Sequence, residues 1–186
     1  ARKDMTKEIN QAEKYVQDLN KNLSKDILKH KIIEILNILT VDNYENMLIK
    51  LKTMIFLIDK EDKTKLLKPE YLLHNQCIFV EIILDKATIE KSYVILYAKL
   101  CADLYTELLR LINDYKNQEI KNQLIKGENL KTIIIGECQQ RFDECISTSE
   151  IINVNNSESI NNENFIYLKK KFLGNMNFIA ELINVK

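Results

Sequence analysis

Chemistry at a protein site needs nucleophiles, proton carriers or metal ligands within reach of one another. In this 186-residue chain the first residues to place are therefore four cysteines, Cys77, Cys101, Cys138 and Cys145, and two histidines, His30 and His74. No two cysteines form a C-x-x-C pair, and each sits inside an apolar run. Cys138 and Cys145 are seven residues apart, which on a helix is two turns and one face. A metal site wants ligands at closer spacing, and both histidines are remote in sequence. The pattern predicts buried thiols in a reducing compartment, with no metal and no cofactor. His74, beside Asn75 and Gln76 in an apolar stretch, reads as a hydrogen-bonded structural imidazole rather than a catalytic base. Asp85-Lys86 reads as a surface or capping ion pair. Glu81 interrupts an apolar row, so it either faces a polar seam or marks where its helix turns outward. Lys169-Lys170-Lys171 reads as a solvated helix face, with RNA phosphate as its alternative partner. There is no Gly-rich phosphate loop and no nucleophile elbow, so the chain is not expected to be an enzyme.

The elements that carry these residues are predicted to be helices. The chain is 46% apolar but has only three Gly and one Pro, too few for sheets joined by tight hairpins. Ser24 can cap a first helix whose inner face is Ile27, Leu28, Ile32, Ile35, Leu36 and Leu39. Thr40 then restarts the chain as an N-cap ahead of Tyr44, Met47, Leu48, Leu51, Ile55 and Ile58. A charged loop over 59–68 ends at Pro69, which is tolerated at a first helical position. Further helices are predicted over 70–90, 92–115, 129–146 and 165–185, with Gly127 as a break and a mobile loop over 147–163. Residues 1–23 carry a narrow apolar stripe, Ile9, Ala12, Val16, Leu19 and Leu23, that suits a docked amphipathic helix or a flexible lead, with a partner-binding helix as the alternative.

Charge narrows the function classes. The 27 basic and 27 acidic residues cancel, and only Arg2, Arg110 and Arg141 are arginines. That removes the usual footprint of an autonomous nucleic-acid binder. No apolar run is long enough to span a bilayer, and no signal peptide precedes the helices. The helices pair as 41–58 with 70–90 and 92–116 with 129–146, at a period of about 50 residues, which suggests an all-α, HEAT-like α-solenoid of antiparallel pairs. The last helix is left without a partner. The solenoid is therefore expected to be truncated after about two and a half pairs, as a middle-domain fragment over 24–185.

Four segments together carry a resemblance. They are Leu36-Asn37-Ile38-Leu39-Thr40 with Tyr44; Asp85-Lys86-Ala87, Glu90 and Tyr93, running on to Leu96-Tyr97-Ala98 and Leu100-Cys101; Ile133-Ile134-Ile135 with Gln139 and Phe142-Asp143; and Leu173-Gly174-Asn175-Met176 with Phe178-Ile179 and Glu181-Leu182. In order and spacing they resemble the middle domain of eukaryotic translation initiation factor 4 gamma, a HEAT-type fold. Ala98 and Gly174 fall where helices could approach closely. Val41 and Lys91 stand where the family usually has Pro, which would change approach angles rather than the fold.

The resemblance implies a cytoplasmic translation-initiation scaffold. Its partner would be the DEAD-box RNA helicase of the initiation complex, initiation factor 4A, held in a productive half-open state. Other initiation factors and weakly held mRNA would be further partners. Carried over by position, the helicase contact falls on Leu36, Leu39 and Tyr44. For RNA, the charge run Lys169, Lys170 and Lys171 is the candidate contact. The same fold serves nonsense-mediated decay, splicing and translational regulators, which is the alternative assignment.

Overall fold

The computed structural model describes residues 25–56, 71–114, 121–122, 129–154 and 160–185, with the backbone alone described at 149–154 and 160–164. The N-terminal stripe, the Ser24 cap, the 59–68 loop, Pro69 and Gly127 lie outside these residues. The described elements are helices: α1 (25–37), α2 (Tyr44–Ile55), α3 (Leu72–Ile89), α4 (Val94–Asp114), α5 (Leu130–Val154) and α6 (Ile160–Asn184), with a short 3-10 turn at Lys91–Tyr93. No helix among them is long and apolar enough to cross a membrane.

α3 explains how the rest is arranged. Leu72, Ile78, Phe79, Val80, Ile82, Ile83, Leu84 and Ala87 are buried over most of its circumference, leaving a strip at Leu73, Cys77, Glu81 and Asp85 to solvent, and a helix this broadly apolar must be largely enclosed. It touches α2, α4, α5 and α6. α4 is one-sided by contrast. Val94, Tyr97, Leu100, Cys101, Leu104 and Leu108 recur at three- and four-residue spacing, and all are buried. α2 ends where α3 begins, with the Asn75 amide donating to the Ile55 carbonyl at 3.3 Å. α2 and α4 advance in the same direction: Tyr44 meets Asp103, and one or two turns on Lys52 meets Glu107 at 2.7 Å.

Several helix ends differ from the sequence reading. The helix expected to be capped by Thr40 starts at Tyr44, and Thr40 and Asn43 lock the turn between α1 and α2. The Asn43 N–H donates to Thr40 Oγ1 at 3.3 Å, the Thr40 N–H donates to Asn43 Oδ1 at 2.8 Å, and Asn43 Nδ2 reaches the Ile38 carbonyl at 2.6 Å. This reciprocal pair has the geometry of a capping box. α5 starts from a second such device, with Asn129 Oδ1 accepting from the Lys131 and Thr132 N–H groups. The loop expected over 147–163 is helical up to Val154 and again from Ile160. Ser147 and Thr148 do not break α5, because their hydroxyls donate back to the carbonyls of Asp143 and Glu144.

The last helix is not without a partner. α6 packs against α3, α4 and α5. Phe178 and Asn175 are buried, whereas Tyr167 and Ile183 stay largely exposed. Gly174 makes the approach to α3 possible, since a Cβ there would lie 2.7 Å from Thr88 Cα.

Candidate functional site

The α1–α2 corner carries the first of the four motif segments. Leu36, Leu39 and Tyr44 are all buried there. The ridge they were expected to offer to a partner is turned into the core, because Leu36 and Leu39 continue the inner stripe of Ile32 and Ile35. Tyr44 is tied down further. Its hydroxyl donates to Asp103 at 2.6 Å, and Lys99 Nζ sits 3.7 Å from its ring centroid. Burial, then the hydrogen bond to Asp103, pushes the Tyr44 phenol well above its ordinary pKa, so it stays a neutral donor. The residues that the locked turn does present to solvent are Ile38, 56% exposed, and Val41, 80% exposed. Sequence reasoning missed them as a surface pair. The signal was that Ile38 lies off the inner stripe while Val41 falls in the turn, after the helix has ended.

The second, third and fourth motif segments meet along one seam. Lys86 and Tyr97 both donate to Glu90, closing the turn between α3 and α4. Tyr93 stacks on Tyr97 with ring centroids 6.0 Å apart. Burial raises the Glu90 pKa, but the hydrogen bonds from Lys86 and Tyr97 outweigh it and hold the carboxyl below its usual range. Asp85 is partnered across the seam by Arg141 of α5 at 2.8 Å. The Arg141 side chain is only 7% exposed, and it also meets Glu137 and the Glu81 carbonyl, each at 3.4 Å. Asn175 completes the junction by donating to the Cys138 carbonyl at 2.9 Å. Asp85, through Arg141, joins α3 to α5, and Lys86 and Glu90 close the α3–α4 turn, whereas Asp143 is exposed and its carboxylate bonds to Gln139 of its own helix.

Glu81 lies on the outward face of α3 and pairs with Lys29 at 3.6 Å. Cys77, expected to be buried, is exposed on the same face one turn earlier, in line with the exposed Leu73. Cys101, Cys138 and Cys145 are buried and reduced. Burial pushes the Cys138 thiol up to about 11 and the Cys101 thiol higher still, which suppresses nucleophilic thiolate. His74 is half-buried, and His30 Nδ1 donates to the Asp26 carbonyl at 2.8 Å. Among the described residues no group of three or more His, Cys, Asp or Glu could hold a metal ion. Lys169 and Lys170 are exposed on α6, whereas Lys171 pairs with Glu144 of α5 at 3.3 Å.

One apolar cavity opens between α4, α5 and α6, with a volume of about 550 Å³. No protein-family model, curated protein or solved structure matches the chain.

Proposed function

We infer that this chain is a HEAT-type scaffold module of translation initiation that docks a DEAD-box RNA helicase, initiation factor 4A, at its α1–α2 corner. The observation that supports the reading is the corner itself. Two reciprocal hydrogen bonds fix the turn, and it presents Ile38 and Val41 within and beside the first segment of the resemblance. Exposed apolar side chains on a rigid turn suit binding, because little rotamer and backbone freedom is lost on docking. Leu36, Leu39 and Tyr44 act here as the residues that position the corner, not as its contact face. The helix order from α2 to α5, with α2 parallel to α4, is compatible with a solenoid of helical pairs. Such a scaffold works by favouring one arrangement of the helicase lobes, with the nucleotide chemistry left to the helicase. Other initiation factors are further partners, and Lys169 and Lys170 are the side chains available for weak mRNA contact.

The test is a binding measurement with purified helicase and the variant carrying both Ile38→Asp and Val41→Asp. Both positions are exposed, so the variant should fold, and loss of two interface anchors at ~1–3 kcal/mol each should weaken binding by at least about tenfold. Leu39→Ala is a poor substitute, because truncating a buried Leu destabilises the fold itself. A folded double variant that holds the helicase at full affinity refutes the docking face. A wild-type chain that ignores the helicase but binds a decay or splicing factor directly refutes the assignment.

A further inference from the structure

The cavity between α4, α5 and α6 belongs to none of the surfaces above. Its volume of about 550 Å³ lies inside the ~300–1,000 Å³ range of small-molecule sites. Its wall is apolar, with Cys101 and Ala102 from α4, Ile134 and Cys138 from α5, and Met176 and Ile179 from α6. Cys101, Ile134 and Cys138 are buried, so the cavity reaches the core and is more than a surface groove. It runs along α5 from Lys131 to Phe142, which at 1.5 Å per residue is roughly 16 Å. At one end Phe142 packs on Phe172 of α6, with ring centroids 5.6 Å apart. Lys131 stands exposed at the other, and Ile135 and Gln139 between them are exposed too, so the cavity is open along one side. Among the described residues that line the cavity, Lys131 alone carries a charge, and no carboxylate faces it.

We propose that this cavity binds a fatty acid, with its alkyl chain laid along α5 toward Phe142 and its carboxylate at Lys131. Three features select that chemistry. The elongated apolar shape along α5 favours a linear chain over a compact ring system. The thioether of Met176 and the two protonated thiols offer soft, polarizable contacts to methylenes. The one charge at the mouth is positive and complements an anionic head group, which can take a charge-assisted hydrogen bond there.

The experiment uses the full chain and displacement of a fluorescent polyene fatty acid by laurate or by dodecanol, with slow alkylation of Cys138 by iodoacetamide at about pH 9, where some thiolate forms, as a second readout. Laurate should displace the probe and slow modification of Cys138 while leaving the exposed Cys77 unaffected. Lys131→Glu should weaken laurate by about tenfold or more, the scale of one lost charge-assisted contact, and leave dodecanol unchanged. Ala102→Trp should fill the cavity and abolish both. Ile135→Glu, at an exposed lining position, should discriminate against laurate if the Trp variant fails to fold. The proposal is overturned if laurate does not displace the probe, or if it does so without protecting Cys138. It is equally overturned if Lys131→Glu leaves laurate affinity unchanged. Protection of Cys138 by an apolar peptide helix but not by laurate would assign the cavity to a protein partner instead.

Discussion

Replacing Gly174 with Ala should destabilise the chain, although Ala is the better helix former. The added Cβ would lie 2.7 Å from Thr88 Cα, with Thr88 Cγ2 and Cβ at 3.1 and 3.2 Å. The nearest atom is backbone, about 0.7 Å inside ordinary van der Waals contact, so no side-chain rotation relieves it. Helices α3 and α6 would have to separate, and α6 also carries Phe178 and Asn175 into the core. Overpacking of this kind costs ~1–3 kcal/mol, against a helix-propensity gain of ~1 kcal/mol. The net expectation is a loss of about 1 kcal/mol, more if the helices resist separation. Gly136 supplies the internal control. It is exposed on α5 and a Cβ there would meet nothing within 4 Å, so Gly136→Ala should stabilise by ~0.5–1 kcal/mol. The two Ala variants should therefore differ by roughly 2 kcal/mol, or about 4–8 °C in melting temperature for a chain of this size. Circular dichroism melts and urea unfolding of both variants measure this directly. Adding Thr88→Ala should give little rescue, because it removes Cγ2 and leaves Cα in place. If Gly174→Ala melts as high as Gly136→Ala, the close approach of α3 and α6 is wrong, and the account of the Leu173-Gly174-Asn175 segment fails with it.

Two further outcomes follow from the seam. Arg141→Lys should cost about 1–2 kcal/mol in urea unfolding, because a lysine cannot present a fork to Asp85, Glu137 and the Glu81 carbonyl together. Asp85→Ala should cost less than about 1 kcal/mol, since that carboxylate is 61% exposed and screened; equal costs would mean that the pair, not the buried fork, is what matters. The lowered pKa of Glu90 makes stability pH-dependent with a defined sign. A carboxyl depressed in the folded state contributes stability above its unfolded value, near pH 4.3, and loses it as the pH falls through the lower folded value. Acid unfolding of Glu90→Gln should therefore be flatter than wild type across that acid window, and an unchanged slope would remove Glu90 from the acid response.

How much was legible in the sequence depended on whether a feature is local or collective. Helix existence is local. The stripes of α1, α2 and α4 and the broad apolar face of α3 show in residue spacing, and the small residue at Gly174 marks a close approach whose partner, Thr88, does not show. Helix ends depend on side-chain geometry within a few residues. Asn43 shares the turn with Thr40, and Ser147 and Thr148 bond backward instead of stopping α5, so both ends moved. Cys77 and Glu81 were harder, because on a helix as apolar as α3 the outward face is set by which neighbours arrive and not by a polar stripe. The corner was hardest. Leu36, Leu39 and Tyr44 were legible as special residues, but recognition and anchoring ask for the same side chains in sequence. Only the packed arrangement separates them, by turning those three inward and leaving Ile38 and Val41 outside. The 550 Å³ cavity left no trace in the sequence, since it arises from the mutual fit of α4, α5 and α6 and from no single stretch of residues. That distinction bears on function. The motif residues that make the chain resemble a scaffold family are mainly those that hold α3 to α6 together, so the resemblance speaks first to how the module is built. Under the readings proposed above, partner choice would rest on Ile38, which lies in the first segment but off its inner stripe, and on Val41 and Lys131 outside the segments, and substitutions there should change binding while leaving unfolding untouched.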